Sequence, residues 1–270
     1  MKVFILGDRG MLGQVVFKVF KEAGHAVSTL NSTVRFDLKN IENLFSWIER
    51  SSPDVIVNCV GVIPQKNRFT EKYLMTNAVL PNMLSQYFND IKIIHPSTDC
   101  VFSDEKKLEN FNFHKPTDMT NSMDFYGQTK ALADKSILYN DKNVVLRTSI
   151  IGFTSQSNGV GLLDWFKSEQ KECFGYTNHH WNGITTLEWA NVALKCLLQN
   201  SCGLIHPCMK KPVSKYEILE LVNNIFDLQK CLLPKCHGYN SDRTLYPTAS
   251  VPNLEQQLLQ YREWCYSRKG

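Results

Sequence analysis

Residues 2–13 read KVFILGDRGMLG, an apolar run that breaks at Gly7, Gly10 and Gly13 and passes straight into the amphipathic stretch QVVFKVFKEA, residues 14–23. The apolar run is short and bounded by a turn signal, as a buried strand is, and residues 12–23 are expected to form a helix. Glycines at such a junction permit a tight turn, close approach of a pyrophosphate to backbone N–H groups, and close packing of helix on strand. The spacing is G-x-x-G-x-x-G rather than G-x-G-x-x-G, so a plain turn would also fit it. Its place between an opening strand and a helix is what points to a dinucleotide site. The backbone of Gly7, Arg9, Gly10, Met11, Leu12 and Gly13 is then the expected cofactor cradle.

Outward from this junction the pattern repeats. Strands are expected over residues 1–6, 25–30, 54–60, 91–97 and 143–151, and helices over 12–23, 41–51, 75–88 and 126–139. Strict alternation means a parallel sheet covered on both faces, an α/β doubly wound Rossmann fold. Beyond residue 151 the pattern loosens. A helix over 184–198 and a short strand over 203–206 return to the sheet, while helices over 215–226, with Ser214 as N-cap, and 253–264 belong elsewhere. The division expected is a cofactor domain over 1–152 with 184–208 returning to it, interleaved with a smaller substrate-binding part over 153–183 and 209–270.

The chain has 270 residues, enough for a substantial core, and 30 Lys+Arg against 26 Asp+Glu for a net charge of +4. Its basic residues are scattered, which argues against a nucleic-acid or membrane surface. The opening run is too short for a signal segment, and no apolar run approaches the ~18 residues of a membrane span. Nine cysteines lie without framework spacing, which fits reduced thiols in a cytoplasmic protein. Cys202, His206, Cys208, Cys231, Cys236 and His237 match no standard zinc spacing, so no metal is expected.

Chemistry concentrates between His95 and Lys130, where STDCVF (residues 97–102) precedes YGQTK (126–130). Tyr126 and Lys130 are four apart and share a helix face. A cation near the phenol would lower its pKa from about 10 and make Tyr126 a proton donor, which carbonyl reduction needs. Thr98 or Ser97 could hold the carbonyl oxygen. At the end of the second strand, residues 28–31 read STLN, with no carboxylate to bind a ribose diol. That absence favours NADPH, with Arg9 or Arg35 as phosphate partners and Asp37 and Leu38 near the adenine.

GDRGMLG, the FDL after the second strand, NCVG at 58–61, STDCVFSD and YGQTK, in this order and at these distances, resemble the extended short-chain dehydrogenase/reductases, and STDCVF with MLG resembles their dTDP-4-dehydrorhamnose reductase branch. LRTSIIG, GLLDWF and GYTNHHWNGITTLEWA resemble a narrower group that reduces UDP-linked 2-acetamido-2,6-dideoxy-4-keto-hexoses. The resemblance implies NADPH as cofactor, a nucleotide-sugar substrate, and a homodimer as one assembly that no motif here decides. It implies Tyr126 as proton donor, Lys130 on the nicotinamide ribose, and Thr98 on the keto oxygen with Asp99 beside it. Cys59, Val60, Gly61 and Val62 would lie along the cofactor, with Asn77 and Ser97 supporting it. Arg147, Trp181 and Arg243 would face the substrate, Arg243 near its phosphates.

Cys100 stands where the rhamnose reductases carry an aromatic. In GDP-fucose synthase and the plant-type epimerase/reductases a cysteine there moves protons beside the ketone, so a bifunctional 3,5-epimerase/4-reductase is one reading and a lone pocket cysteine another. A third reading is a partner module that binds NADP without turnover, as the regulatory subunit of methionine adenosyltransferase resembles the same reductases.

Overall fold

The computed structural model describes residues 1–30, 40–64, 70–104, 113–154, 159, 161–169 and 172–267. In chain order the elements are β1 (Lys2–Leu6), α1 (Gly13–Glu22), β2 (Ala26–Thr29), α2 (Ile41–Ser51), β3 (Val55–Asn58), α3 (Thr70–Tyr73), a π-helical segment (Leu74–Val79), α4 (Leu80–Tyr87), β4 (Lys92–Ser97), a 3₁₀ turn (Asp99–Val101), α5 (Phe125–Leu138), β5 (Val144–Arg147) and β6 (Ile150–Ile151). They continue with α6 (Leu162–Ser168), β7 (Cys173–Tyr176), β8 (His179–Trp181), β9 (Ile184–Thr185), α7 (Thr186–Leu198), β10 (Gly203–Ile205), β11 (Val213–Ser214), α8 (Lys215–Ile225), β12 (Leu232–Lys235), β13 (Ser241–Asp242) and α9 (Leu254–Tyr266).

Six parallel strands in the order β10-β5-β4-β3-β1-β2 form the central sheet. Strand residues alternate between its two faces. Val3, Ile5, Val55, Val57, Ile94 and Leu146 pack with α1 and α7, while Phe4, Leu6, Ile56, Ile93 and Val145 pack with α2, α4 and α5. Because both faces are covered, the strands read as unbroken apolar runs. Each side chain so buried contributes about 1.5–3 kcal/mol relative to exposure. The order reverses between β1 and β3, and ligands bind such sheets at the strands' carboxyl ends near the reversal.

The expected strand over 143–151 is two strands. β5 ends at Arg147 in the central sheet, and β6 pairs with β9 in a separate two-stranded sheet. The expected helix over 75–88 begins earlier, at Thr70, and passes through the π-helical segment. β10 does return to the central sheet, beside β5. α8 carries a capping box in which Ser214 Oγ accepts from the Glu217 N–H and the Glu217 carboxylate accepts from the Ser214 N–H. Short pairings of β7 with β12 and of β8 with β11 and β13 hold the remaining residues over the carboxyl edge of the sheet. No helix among the described residues is long and apolar enough to cross a membrane.

Candidate active site

Three consequences of the glycine loop can be read from its backbone. Gly7 has φ +83°, and a Cβ there would lie 2.9 Å from the Cys59 carbonyl carbon. A Cβ on Gly13 would fall 2.0 Å from the Gly7 oxygen. The Gly10 N–H donates to that same oxygen at 2.9 Å, which closes the turn. α1 has no side-chain cap at Leu12, and the Gln14 and Val15 N–H groups already donate to the Gly10 and Leu12 carbonyls at 3.1 and 3.0 Å, so the N–H groups of Met11, Leu12 and Gly13 are the ones that can serve a ligand. A pyrophosphate fits this cradle, since its oxygens accept from backbone N–H groups that nothing bulkier than glycine crowds. Arg9 is exposed on the loop, whereas the Leu12 side chain is buried in the core and only its backbone is available. Arg35, Asp37 and Leu38 lie outside the described residues.

After β3 the chain turns through Cys59, Val60 and Gly61 beside the glycine loop. Asn77, on the π-helical segment, accepts from the Val62 N–H at 2.8 Å and donates to the Val62 carbonyl at 2.9 Å. Both ends of its buried amide are therefore spent on this turn. Asn77 braces the turn that carries Cys59 to Val62. Burial pushes the Cys59 thiol pKa up, consistent with an inert side chain.

β4 ends at Ser97 and Thr98 follows in extended conformation, so the two side chains point to opposite faces. Ser97 Oγ donates to Asp134 Oδ2 at 2.7 Å and is turned away from the pocket. Thr98 Oγ1 caps the following 3₁₀ turn, accepting from the Cys100 N–H at 3.2 Å; its hydroxyl donates to Asp99 Oδ1 at 3.1 Å and lies beside the Tyr126 phenol. Of the two hydroxyls, Thr98 is the one on the side of Tyr126. Two hydroxyl donors, from Thr98 and Tyr126, thus converge at the carboxyl edge of β4.

Lys130 is one turn along α5 from Tyr126, but its nitrogen turns to β4. It lies 2.7 Å from the Pro96 carbonyl oxygen and 3.3 Å from His95 Nε2. Burial lowers the Lys130 pKa to about 8, with Asp134 pulling it the other way. The expected lowering of the Tyr126 pKa by this cation is not found. Burial and the neighbouring Cys100 and Asp99 push the phenol up, and the Thr98 hydrogen bond opposes them.

The facing wall comes from β13 and α8. Arg243 Nη1 donates to Cys100 Sγ at 3.3 Å, and Nη2 pairs with Asp104. Asp104 also accepts from Ser241 Oγ at 2.6 Å, so one carboxylate seats the whole segment over the STDC turn. Burial raises the Cys100 thiol to about 12 despite the guanidinium, and burial raises the Asp99 carboxyl as well. Lys215, the first residue of α8, lies 3.4 Å from His179 Nδ1 and feels the charges of Asp99, Arg243 and Asp104. Around His179 stand the rings of Tyr176, His237 and Tyr239, at centroid distances of 4.8, 4.8 and 5.2 Å.

Two expected substrate residues are elsewhere. Arg147 is only 3% exposed, and its guanidinium is held on Asp134 Oδ2 at 2.9 and 3.1 Å. A charge so buried needs its partner, so Arg147 braces Asp134, and through it Ser97, from beneath. Trp181 is buried in the core, where a Cβ on Gly183 would strike its ring. The sequence reading missed Asp104, Lys215 and the part taken by His95. Asp104 closes the STDCVFSD motif and was within reach, whereas Lys215 carries no local signal. Among the described residues, no group of three or more His, Cys, Asp or Glu side chains is placed to hold a metal ion.

The sequence profile of the RmlD substrate binding domain matches residues 1–256. The chain belongs to this family. Among relatives, it is 26% identical over 186 residues to the "Probable low-salt glycan biosynthesis reductase Agl14" of Haloferax volcanii, a stretch covering 62% of this chain and 60% of that one. It is 27% identical over 156 residues to the dTDP-4-dehydrorhamnose reductase of Aggregatibacter actinomycetemcomitans, covering 55% and 51%. The match thus spans about half to three fifths of these relatives' lengths. Among solved structures, the dTDP-4-dehydrorhamnose reductase of Bacillus anthracis in complex with NADP superposes with a TM-score of 0.82 at 15% identity, covering 97% of this chain and 98% of that one.

Proposed function

We propose that this chain is an NADPH-dependent reductase of the 4-keto group of a nucleotide-linked 4-keto-6-deoxyhexose. The observation that carries the reading is the convergence of the Thr98 and Tyr126 hydroxyls at the end of β4, across from the glycine cradle at the end of β1. When bound, NADPH would supply hydride to the keto carbon. The chain's own residues do the rest. Thr98 donates a hydrogen bond to the keto oxygen and fixes the carbonyl's direction. Tyr126 delivers the proton, so that C=O becomes CH–OH and the phenolate left behind is reprotonated from solvent. Arg243 and Lys215 give the pocket two cations, as a diphosphate-linked sugar requires.

Within this activity the substrate we favour is a UDP-linked 2-acetamido sugar, giving a UDP-N-acetyl-L-rhamnosamine-type product. That choice rests on the resemblance of the segments over 146–190. A thiol at about 12 is protonated near neutral pH, which favours a simple reductase over the epimerase/reductase, where Cys100 would have to act as a base.

The test is NADPH oxidation with enzymatically prepared UDP-4-keto-6-deoxyglucose and with the 5-epimerised UDP-2-acetamido-4-keto sugar. Turnover of the acetamido sugar alone is expected. Turnover of the unepimerised glucose derivative to a rhamnose would instead favour the bifunctional reading. No turnover with either, while NADP still binds, would favour a non-catalytic partner module.

A further inference from the structure

Beneath the site lies a buried polar chain that the proposed reaction does not use. His95, fully buried on β4, has Nε2 at 3.3 Å from Lys130 Nζ and Nδ1 at 3.2 Å from Asn58 Nδ2. Asn58, fully buried at the end of β3, accepts from the Val60 N–H through Oδ1 at 3.2 Å. That backbone donor settles which way round the amide sits. Oδ1 must face Val60, and the NH₂ group must face His95.

A neutral imidazole has one donor and one acceptor nitrogen. With an NH₂ opposite it, Nδ1 must accept, so the ring proton is on Nε2 and points at Lys130. An ammonium has donors only and cannot receive it; an amine can. The amine form also keeps an N–H for the Pro96 carbonyl at 2.7 Å, so every group in the chain is satisfied.

We propose that Asn58 fixes His95 as its Nε2–H tautomer whenever Lys130 is an uncharged amine, so that the Asn58–His95 hydrogen bond opposes protonation of Lys130 in the cofactor-free chain. Taking up one proton converts the pair to ammonium and Nδ1–H imidazole, which sets two donors against each other at Asn58. Charging Lys130 therefore costs the Asn58–His95 hydrogen bond. The groups around Lys130 agree with this. Asp134, further along α5, is already engaged by Arg147 of β5 and Ser97 of β4; Tyr126 is a neutral phenol with a raised pKa; and Lys130 titrates near 8 while His95 is held well below its usual range, burial being the first cause of both. Asn58 and His95 are positioning residues on this account. The consequence for catalysis rests on the ketoreductase reading, but the tautomer and the lysine pKa do not.

The test is NMR on the cofactor-free protein, with no substrate needed. At a pH above the Lys130 titration, imidazole ¹⁵N shifts should show His95 protonated on Nε2 with Nδ1 bare, and Lys130 should titrate below an ordinary lysine. A His95 protonated on Nδ1 at that pH, or a Lys130 titrating at the ordinary value, would overturn the proposal. In Asn58→Asp the second carboxylate oxygen can accept from Nδ1–H, so His95 should switch tautomer and the proton affinity of Lys130 should rise about tenfold or more, one pKa unit. An unchanged tautomer in that variant would also overturn it. If Asn58→Asp does not fold, the wild-type tautomer alone decides. Absence of keto-sugar turnover together with the Nε2–H tautomer would fault the functional reading and leave this proposal standing.

Discussion

Gly127 packs so closely on the STDC turn that a Cβ at that position would lie 2.0 Å from the Cys100 carbonyl oxygen and 2.2 Å from Ser122 Oγ. This contact sets the distance between the strand end carrying Thr98 and the helix carrying Tyr126. The glycine in YGQTK is thus required by packing, since the backbone it faces has no flexible end to move aside.

Gly127→Ala is expected to push α5 off the turn. Overpacking of this kind costs about 1–3 kcal/mol. Urea denaturation should show that loss, and NADPH turnover should fall about tenfold or more because the two hydroxyls separate. A variant with wild-type stability and turnover would show that the contact yields.

Asp134 neutralises Arg147 where both are buried. Asp134→Leu leaves the guanidinium unpaired and should cost about 3–5 kcal/mol, while Asp134→Leu with Arg147→Met should recover most of that loss. Denaturation midpoints of the two single variants and the double variant measure the coupling. A double-variant loss equal to the sum of the two single losses would mean that the pair is not coupled.

His206 is fully buried, and its pKa is lowered by burial from 6.5 to about 3; that of His95 is lowered in the same direction. A histidine depressed in the fold is neutral there but binds a proton when unfolded. Its contribution is therefore full above about 6.5 and is lost as pH falls from there towards 3. Each such group should add a slope of about 1.4 kcal/mol per pH unit. Denaturation at a series of pH values should show the decline, and His206→Gln should flatten it. Flat stability across that range would contradict the assignment.

Cys100, raised to about 12, should alkylate slowly near neutral pH beside the exposed Cys202, Cys231 and Cys236. Its rate should climb about tenfold per pH unit, as the thiolate fraction does. Peptide mass spectrometry after timed labelling reads this directly. Fast labelling at neutral pH would indicate a thiolate and revive the epimerase reading.

The fold was legible because its signals are local. The KVFIL run, the three glycines and the alternation through β5 each lie within one window of sequence, and the capping box at Ser214–Glu217 is a four-residue pattern. Arg147 was misassigned because a strand-end arginine reads the same whether it faces a ligand or, as here, an aspartate on the neighbouring helix. Trp181 failed for the same reason, since an aromatic carries no mark of which side it packs. Lys130 had the expected helical register with Tyr126, yet its nitrogen turned to His95, a partner 35 residues away that spacing alone does not single out. Lys215 and Asp104 meet Arg243 only through the return of β13 over the sheet edge, a juxtaposition made by tertiary structure.

The central claim is that Tyr126 protonates a sugar keto oxygen held by Thr98. Its most direct test is single-turnover NADPH oxidation with the 5-epimerised UDP-2-acetamido-4-keto sugar, comparing wild type with Tyr126→Phe and Thr98→Val, alongside NADPH binding by fluorescence. The account predicts binding close to wild type in all three, turnover in the wild type, and a loss of about 10²–10⁴-fold in Tyr126→Phe with a smaller one in Thr98→Val. Undiminished turnover in Tyr126→Phe would contradict it.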